Sequence, residues 1–402
     1  MTTFLWILLG INAFVCAVWL GRHVVLSRAG QVLPPIHDGL YRDQNGPLPA
    51  MTMLVAAKDE ERNIEGCVRS IAAQDYPSLQ IVAINDRSAD RTGPILDGIA
   101  AGEPRLTAVH VTQLREGWFG KNNAMREGVE RASGEWLCFT DADCVLGARR
   151  CLTVAMRYAL EHRVDFLSVL PNLDNNGFWE RVIQPACGGI MMIWFNPLKV
   201  NDPSRSAAYA NGAFMLMKRS CYDAVGGHES FKTEVNEDVH MAIRAKAIGQ
   251  RLRVVSNENL YAVRMYNSLK QTWHGWSRIF YGCFGNYRRL VLSALVVVIF
   301  TLTPWLTAAA TGVAVAAGAG TPLVRGLLYT AMAAGAAQLS VMVRFYRLSH
   351  SSPLYGLLYP IGAAIGLGAL VNAMRRLRGR GTTNWRGTVY RGNKVETGPT
   401  AK

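Results

Sequence analysis

Two aspartates close the stretch CFTDAD, Cys138–Asp143, behind a short apolar run that reads as a buried strand. Residues i and i+2 of a strand share one face, so Asp141 and Asp143 are expected to converge on one spot. Like charges that close are costly unless a cation or a charged ligand lies between them, and a solvated turn is the plainer alternative. Oxygen ligands at a strand end suit Mg2+ or Mn2+, ions that bridge one or two carboxylates and a substrate diphosphate.

Other polar clusters can share in such chemistry. In NDRSADRT, Asp86 and Asp90 flank Ser88. Their side chains can accept from a ribose hydroxyl or a base N–H, or can form an Asx turn and helix cap. In KDEERN, Glu60 and Glu61 begin a helix whose dipole favours anions, with Glu60 expected to face the crevice. In GWFGKNNA, glycines allow close backbone approach, and Lys121 offers a point charge for phosphate unless it is only solvated. In VNEDVHMAI, Glu237 and Asp238 open a helix carrying Val239, Ile243 and Ala247. An ionised carboxylate there can take a proton from an acceptor hydroxyl, or can merely complement the helix dipole.

The elements that must hold these clusters alternate. Met51–Ala57, Leu79–Ile84 and Leu106–Val111 have strand character, with helical spacing after the first (Ile64, Val68, Ile71), at Pro94–Ala101 and up to Arg131. Alternation of this kind implies α/β architecture with a parallel sheet and right-handed crossovers. KDEE, NDRSAD and TDAD each fall at a strand's carboxyl end, where such sheets bind ligands.

Around this region the chain turns apolar. Of 402 residues, 50% are hydrophobic, and the mean hydropathy is +0.09. Thr2–Gly21 carries no charge and precedes Arg22, His23 and Arg28, which suggests an uncleaved anchor. Leu290–Ala317, Pro322–Val343 and Pro353–Met374 are three further apolar blocks. The expected plan is an anchor at 1–24, an α/β domain at 48–287, transmembrane or re-entrant helices at 288–375 and a basic tail at 376–402. The net charge of +14 gathers beside the apolar blocks at Arg288, Arg289, Arg344, Arg347, Arg375, Arg376, Arg378 and Arg380. That placement fits the positive-inside rule and a lipid bilayer, not nucleic acid. An outside N-terminus with three later crossings would put the basic tail outside, against the rule, so one block is expected to be re-entrant. Pro353–Met374, with Pro360 and several glycines, is the first suspect. The eight cysteines contain no CxxC pair and read as reduced, buried thiols.

In this order the clusters resemble the family 2 glycosyltransferases of GT-A fold over about residues 49–285. AAKDEERNI looks like the family's A-R-N-E-E segment, with Lys58 and Asp59 in place of Arg and Asn. NDRSADRT is similar to its D-D-x-S-x-D-x-T motif, with Asn85 in place of the first aspartate. TDAD resembles the D-x-D metal motif, NGAF (Asn211–Phe214) the acceptor-side segment and NED the base motif. The resemblance implies that Glu60 and Asp86 hold the nucleoside and that Asp141 lies against ribose and metal. It further implies that Asp143 ligates the metal, Lys121 neutralises the diphosphate, Asp238 is the base with Glu237 beside it, and Asn211 and Gly212 face the acceptor. GWFGKNNAMREG before TDAD, with apolar blocks behind, looks most like the branch acting on carotenoid- and hopanoid-type lipids.

The implied activity is inverting, metal-dependent transfer from a nucleotide-diphosphate sugar, UDP-sugar favoured, to a hydroxyl or carboxyl of a membrane lipid. The implied location is the cytoplasmic membrane, multi-pass, with the catalytic domain cytosolic; protein partners stay open. In LKQTWHGWSR neither Trp273 nor Trp276 follows an arginine, unlike the Q/R-x-x-R-W of processive synthases. That departure counts against polysaccharide elongation, and the standing Asp143 and Asp238 count against a non-catalytic scaffold. Trp273, Trp276 and Arg278 are expected to close over the donor or to pack in a core. Trp179–Val200 reads as an interfacial ledge for a lipid or as a core helix. TTNWRGTVYRGNK, with Trp385, Arg386, Tyr390 and Arg391, reads as an interfacial or donor-side flap.

Overall fold

The computed structural model describes residues 2–349, 351–378, 383–385, 388–391 and 394–395. The strands are β1 (Ile36–His37), β2 (Met51–Ala57), β3 (Leu79–Asp86), β4 (Leu106–Val111), β5 (Trp136–Asp141), β6 (Cys144–Leu146), β7 (Phe166–Leu170), β8 (Asn172–Leu173), β9 (Met215–Lys218), β10 (Leu252–Glu258) and β11 (Tyr261–Val263). Helix α1 (Thr2–Val32) precedes them; α2 (Ile64–Ala72), α3 (Thr92–Ala100), α4 (Gly120–Val129) and α5 (Cys151–Glu161) alternate with the early strands. Then come α6 (Phe178–Trp194), α7 (Pro197–Val200), α8 (Arg219–Val225), α9 (Glu237–Ala247) and α10 (Leu269–Phe284). The last helices are α11 (Tyr287–Val296), α12 (Thr303–Ala316), α13 (Pro322–Leu348) and α14 (Tyr359–Leu377).

Two compact units emerge. One is helical (Met1–Val32, Asn175–Ile193, Tyr266–Arg380); the other is α/β (Leu33–Asp174, Trp194–Met265, Gly381–Lys402). In the α/β unit eight strands pair in the order β1-β10-β7-β9-β5-β2-β3-β4. All pairs are parallel except those of β9 with β5 and β7. Strands covered on both faces read as continuous apolar runs, which explains MTMLVAA in β2. Its Met51, Met53, Val55 and Ala57 enter one core, and Leu54 enters the core on the opposite face. Each of the larger side chains among these, the methionines, Val55 and Leu54, contributes about 1.5–3 kcal/mol. The buried Thr52 is satisfied, donating to Gln80 Oε1 at 2.7 Å and accepting from the Gly134 N–H at 2.9 Å.

Among the described residues, the helical unit contains four segments long and apolar enough to cross a membrane: Thr2–Arg28, Tyr287–Ala316, Pro322–Leu348 and Pro353–Leu377. α6 packs on α14 through Gly362 and Gly366, a small-xxx-small pair that lets helix backbones approach. A Cβ at Gly362 would stand 2.1 Å from the Val182 carbonyl oxygen, and one at Gly366 would stand 3.3 Å from Cys187 Sγ. Within the Trp179–Val200 stretch, Val182, Ile183, Ala186, Cys187 and Ile190 are buried as in a core helix, while Met192 and Leu198 stay exposed. In the tail, Thr383–Trp385 and Thr388–Arg391 pair antiparallel, and the latter pairs with Lys394–Val395. Trp385, Tyr390 and Arg391 lie on these strands, whereas Arg380 and Arg386 lie outside the described residues.

Candidate active site

Two loops at the carboxyl ends of β2 and β3 are laced together. The Asp59 N–H donates to Ser88 Oγ at 3.0 Å, and the Ala89 N–H returns to Asp59 Oδ1 at 2.8 Å. The Glu61 N–H donates to Asp90 Oδ2 at 3.0 Å and the Glu60 N–H to Thr92 Oγ1 at 2.8 Å. Asp59 and Arg87 both have φ of 54°, a conformation that side-chain-bearing residues rarely adopt and that clusters at binding sites. The lacing holds them there. Glu60 is buried with Oε2 accepting from Asn63 Nδ2 at 2.8 Å.

Asp86 is also buried, but Arg87 grips it with both arms, Nε to Oδ1 at 2.8 Å and Nη2 to Oδ2 at 3.0 Å. That arginine escaped the sequence reading, as did the cationic character it shares with Lys58. Burial, then the nearby Arg87 charge, lowers the Lys58 pKa. Asn85, where the family motif has aspartate, approaches His110 Nδ1 at 3.1 Å, and His110 Nε2 lies 2.9 Å from Asp97 Oδ1.

Asp141 is the last residue of β5, and Asp143 falls in the turn to β6. The strand therefore ends two residues short of Asp143; a tight turn, not the pleat, carries it. What the two share is a neighbour. Burial pushes the Cys67 thiol up, and the charges of Asp143, Asp141 and Glu60 push it further, so all three carboxylates act on one side chain.

The centre of the site is Lys121, in the first turn of α4. Its Nζ lies 2.8 Å from Asp141 Oδ1 and 2.8 Å from Glu237 Oε1. Burial alone would lower its pKa, but Asp141, Glu237 and Asp238 outweigh that and hold it well above the ordinary value. Asp238 Oδ2 accepts the Gly212 N–H at 2.7 Å and Oδ1 its neighbour's N–H at 2.8 Å. Despite these donors its pKa is raised to about 7, by burial first and by Glu237 second. A Cβ at Gly212 would come to 3.1 Å from Lys121 Nζ and 3.3 Å from Asp238 Oδ2, so only a bare backbone leaves this corner open. Asn211 builds the turn: its Oδ1 accepts the Ala213 N–H at 3.0 Å. β9, inserted antiparallel beside β5, is what brings Asn211 and Gly212 to Asp141's strand.

Two supports were not read from sequence. Asn122 is fully buried, and its Nδ2 donates to the carbonyls of Phe231 at 2.6 Å and Glu234 at 2.9 Å, tying α4 to the chain entering α9. His228, buried against Phe139 and facing Tyr222, has its pKa lowered to about 3 by burial and by Lys121, so it stays neutral. Trp273, Trp276 and Arg278 lie on α10, in the helical unit. Trp273 lies on Gly368 of α14, and Trp276 is buried against Phe280 with ring centroids 5.5 Å apart.

The donor set can be tested against a divalent ion. Among the described residues, no three His, Cys, Asp or Glu side chains form a ready-made cage. Mg2+ and Mn2+ ions that travel with phosphates need no cage; one or two carboxylates complete them. Asp141 and Asp143, with Lys121 as a second cation for phosphate oxygens, fit that pattern.

The family model described as "Glycosyltransferase like family 2" matches residues 49–275. A 4,4'-diaponeurosporenoate glycosyltransferase of Staphylococcus aureus (strain USA300) is 27% identical over 257 residues, which is 62% of this chain. The match spans 66% of that relative's length. A solved mannosyltransferase from Pyrobaculum calidifontis, in complex with GDP-Man and Mn2+, superposes with a TM-score of 0.50 at 19% identity. That superposition covers 89% of this chain and 98% of the other. With more than half of its residues inside the family model and its sheet on the same plan, the chain belongs to the family 2 glycosyltransferases and has the GT-A fold.

Proposed function

We propose that the protein transfers a sugar from a nucleoside-diphosphate sugar to a membrane lipid, with isoprenoid-type acceptors favoured by the diaponeurosporenoate-acting relative. One observation carries the reading: Lys121 joins Asp141 to Glu237, and Asp238 stands beside them with a raised pKa. In the proposed step, Asp238 accepts the proton of an acceptor hydroxyl, and the freed oxygen pair bonds to the anomeric carbon. The bond from that carbon to the diphosphate oxygen breaks on the opposite face, inverting configuration. A carboxylate acceptor would arrive already ionised and need no base. Lys121 holds the negative charge that grows on the departing diphosphate, in a site where fixed charges act more strongly than in water. Glu60 and the Asp86–Arg87 pair flank the nucleoside. Asp141 and Asp143 would hold a divalent ion, which when bound supplies further positive charge to the leaving group.

We infer three membrane crossings. Trp19 donates to the Phe300 carbonyl at 2.7 Å and also meets the Tyr359 ring, with centroids 5.9 Å apart. At the other end of α14, Arg378 donates to the Tyr287 hydroxyl at 2.7 Å. The α14 helix thus runs antiparallel to the chain that starts at Tyr287, and Tyr359 still packs with Tyr346 near the end of α13. These contacts support a re-entrant Pro353–Leu377, a segment that enters and leaves on one face of the membrane.

Incubating membranes that carry the protein with a panel of labelled nucleotide sugars tests the function. Label should enter the organic phase for at least one donor. Label found only in water-soluble sugar or protein would overturn the lipid acceptor.

A further inference from the structure

A groove between α10 and α14 has no part in the transfer chemistry above. On α14 its floor is a stripe at helical spacing: Ala364, Gly368, Val371, Asn372 and Arg375. Trp273 lines both of its cavities. Arg375 belongs to the lining of one, of about 590 Å³, and Leu269, Lys270, His274 and Ile365 line the other, of about 500 Å³. The indole sits so low that a Cβ at Gly368 would reach 2.4 Å from Trp273 Cη2. From Ala364 to Arg375 the stripe rises ~16 Å at helical pitch, about half of the ~30 Å hydrocarbon core, the depth of one leaflet.

The charge around it is one-sided. From Asn259 to Val395 the sequence contains no aspartate or glutamate. The helical unit's single acid, Glu180, turns Oε2 to the Gly177 N–H at 2.7 Å. Arg376 and Arg378 follow Arg375, and Arg378 lies over the Tyr287 ring with 4.6 Å to its centroid. An apolar channel one leaflet deep, rimmed by cations with no carboxylate from their own stretch of chain, complements a long apolar body with an anionic head.

We propose that the α10–α14 groove is a binding site for one phospholipid with an anionic headgroup. Its phosphate lies toward Arg375 and Asn372, and an acyl chain runs along the Ala364–Val371 stripe against Trp273. The site stands whether or not the transferase reading holds.

The test uses the full chain in phosphatidylcholine nanodiscs doped with brominated phosphatidylglycerol or brominated phosphatidylcholine at equal mole fraction. Bromine quenches tryptophan at contact range, and the Trp273 share is the difference from a Trp273→Phe protein. The anionic lipid should quench that share with a preference of roughly fivefold per basic side chain. Arg375→Gln, a change at an exposed position, should return the two lipids toward parity. Soluble glycerol phosphate in excess should leave the preference intact. Equal quenching by the two lipids, a preference unmoved by Arg375→Gln, or its abolition by glycerol phosphate would each overturn the site.

Discussion

Asp238 is ionised only at a cost that its surroundings set. Burial and Glu237 raise its pKa to about 7, while Lys121 and two backbone donors pull the other way. A base must be unprotonated, so kcat/KM should fall about tenfold per unit as pH drops below that value and level off above it. Glu237→Gln removes the repulsion and should move this acid limb to lower pH; a limb that stays put in pH–rate profiles would contradict the pairing. Lys121→Met leaves Glu237, whose side chain is 3% exposed, without its cation. Loss of one partner from such a pair should cost about 3–5 kcal/mol, read as a lower denaturation midpoint together with weakened nucleotide-sugar binding. The acid clusters and Lys121 were legible because residue type and spacing announced them, whereas Gly212 came only through the resemblance of NGAF to the family's acceptor-side segment. Arg87, Asn122 and His228 were not, since their partners lie across chain separations that no local pattern encodes. Asp143 was legible for the wrong reason, since it sits in a turn beyond the strand.

Elements decide how these groups meet. The first parallel strands were readable from uninterrupted apolar runs, because burial on both faces leaves that signature. β9 was not, as its antiparallel insertion between β5 and β7 is a pairing choice made far from MLMK itself. The insertion makes Gly212 a hinge of the account. Gly212→Val adds bulk where a Cβ already stands 3.1 Å from Lys121 Nζ. Turnover should fall about 10²-fold with an unchanged unfolding midpoint; full turnover would show that this corner does not matter. In the helical unit, Gly362→Leu forces a side chain into the Val182 carbonyl and should separate α6 from α14. Loss of a monodisperse peak on detergent extraction, with Ile361→Leu as a silent control on an exposed neighbour, checks that contact.

At the scale of the whole molecule, hydropathy revealed four membrane-competent segments but not their course. Length and composition make Pro353–Leu377 equivalent to the others; the proposal of a return in place of a crossing rests on the contacts at its two ends. Likewise α10 read as the end of the catalytic domain, yet it clusters with the helices, because its amphipathic face buries Trp276 and Phe280 there. A reporter fused after Lys402 should be accessible from the same side as one inserted at the exposed Gly46. Opposite accessibility would restore a fourth crossing. At the heart of the proposal, Asp238, within the Lys121 cluster, takes the proton of a hydroxyl-bearing acceptor. The most direct measurement of this step compares wild type and Asp238→Asn in membranes, reading label transferred from nucleotide sugar to lipid alongside donor binding. Transfer should fall about 10²-fold or more with donor binding retained. Undiminished lipid labelling by the Asp238→Asn protein would contradict it.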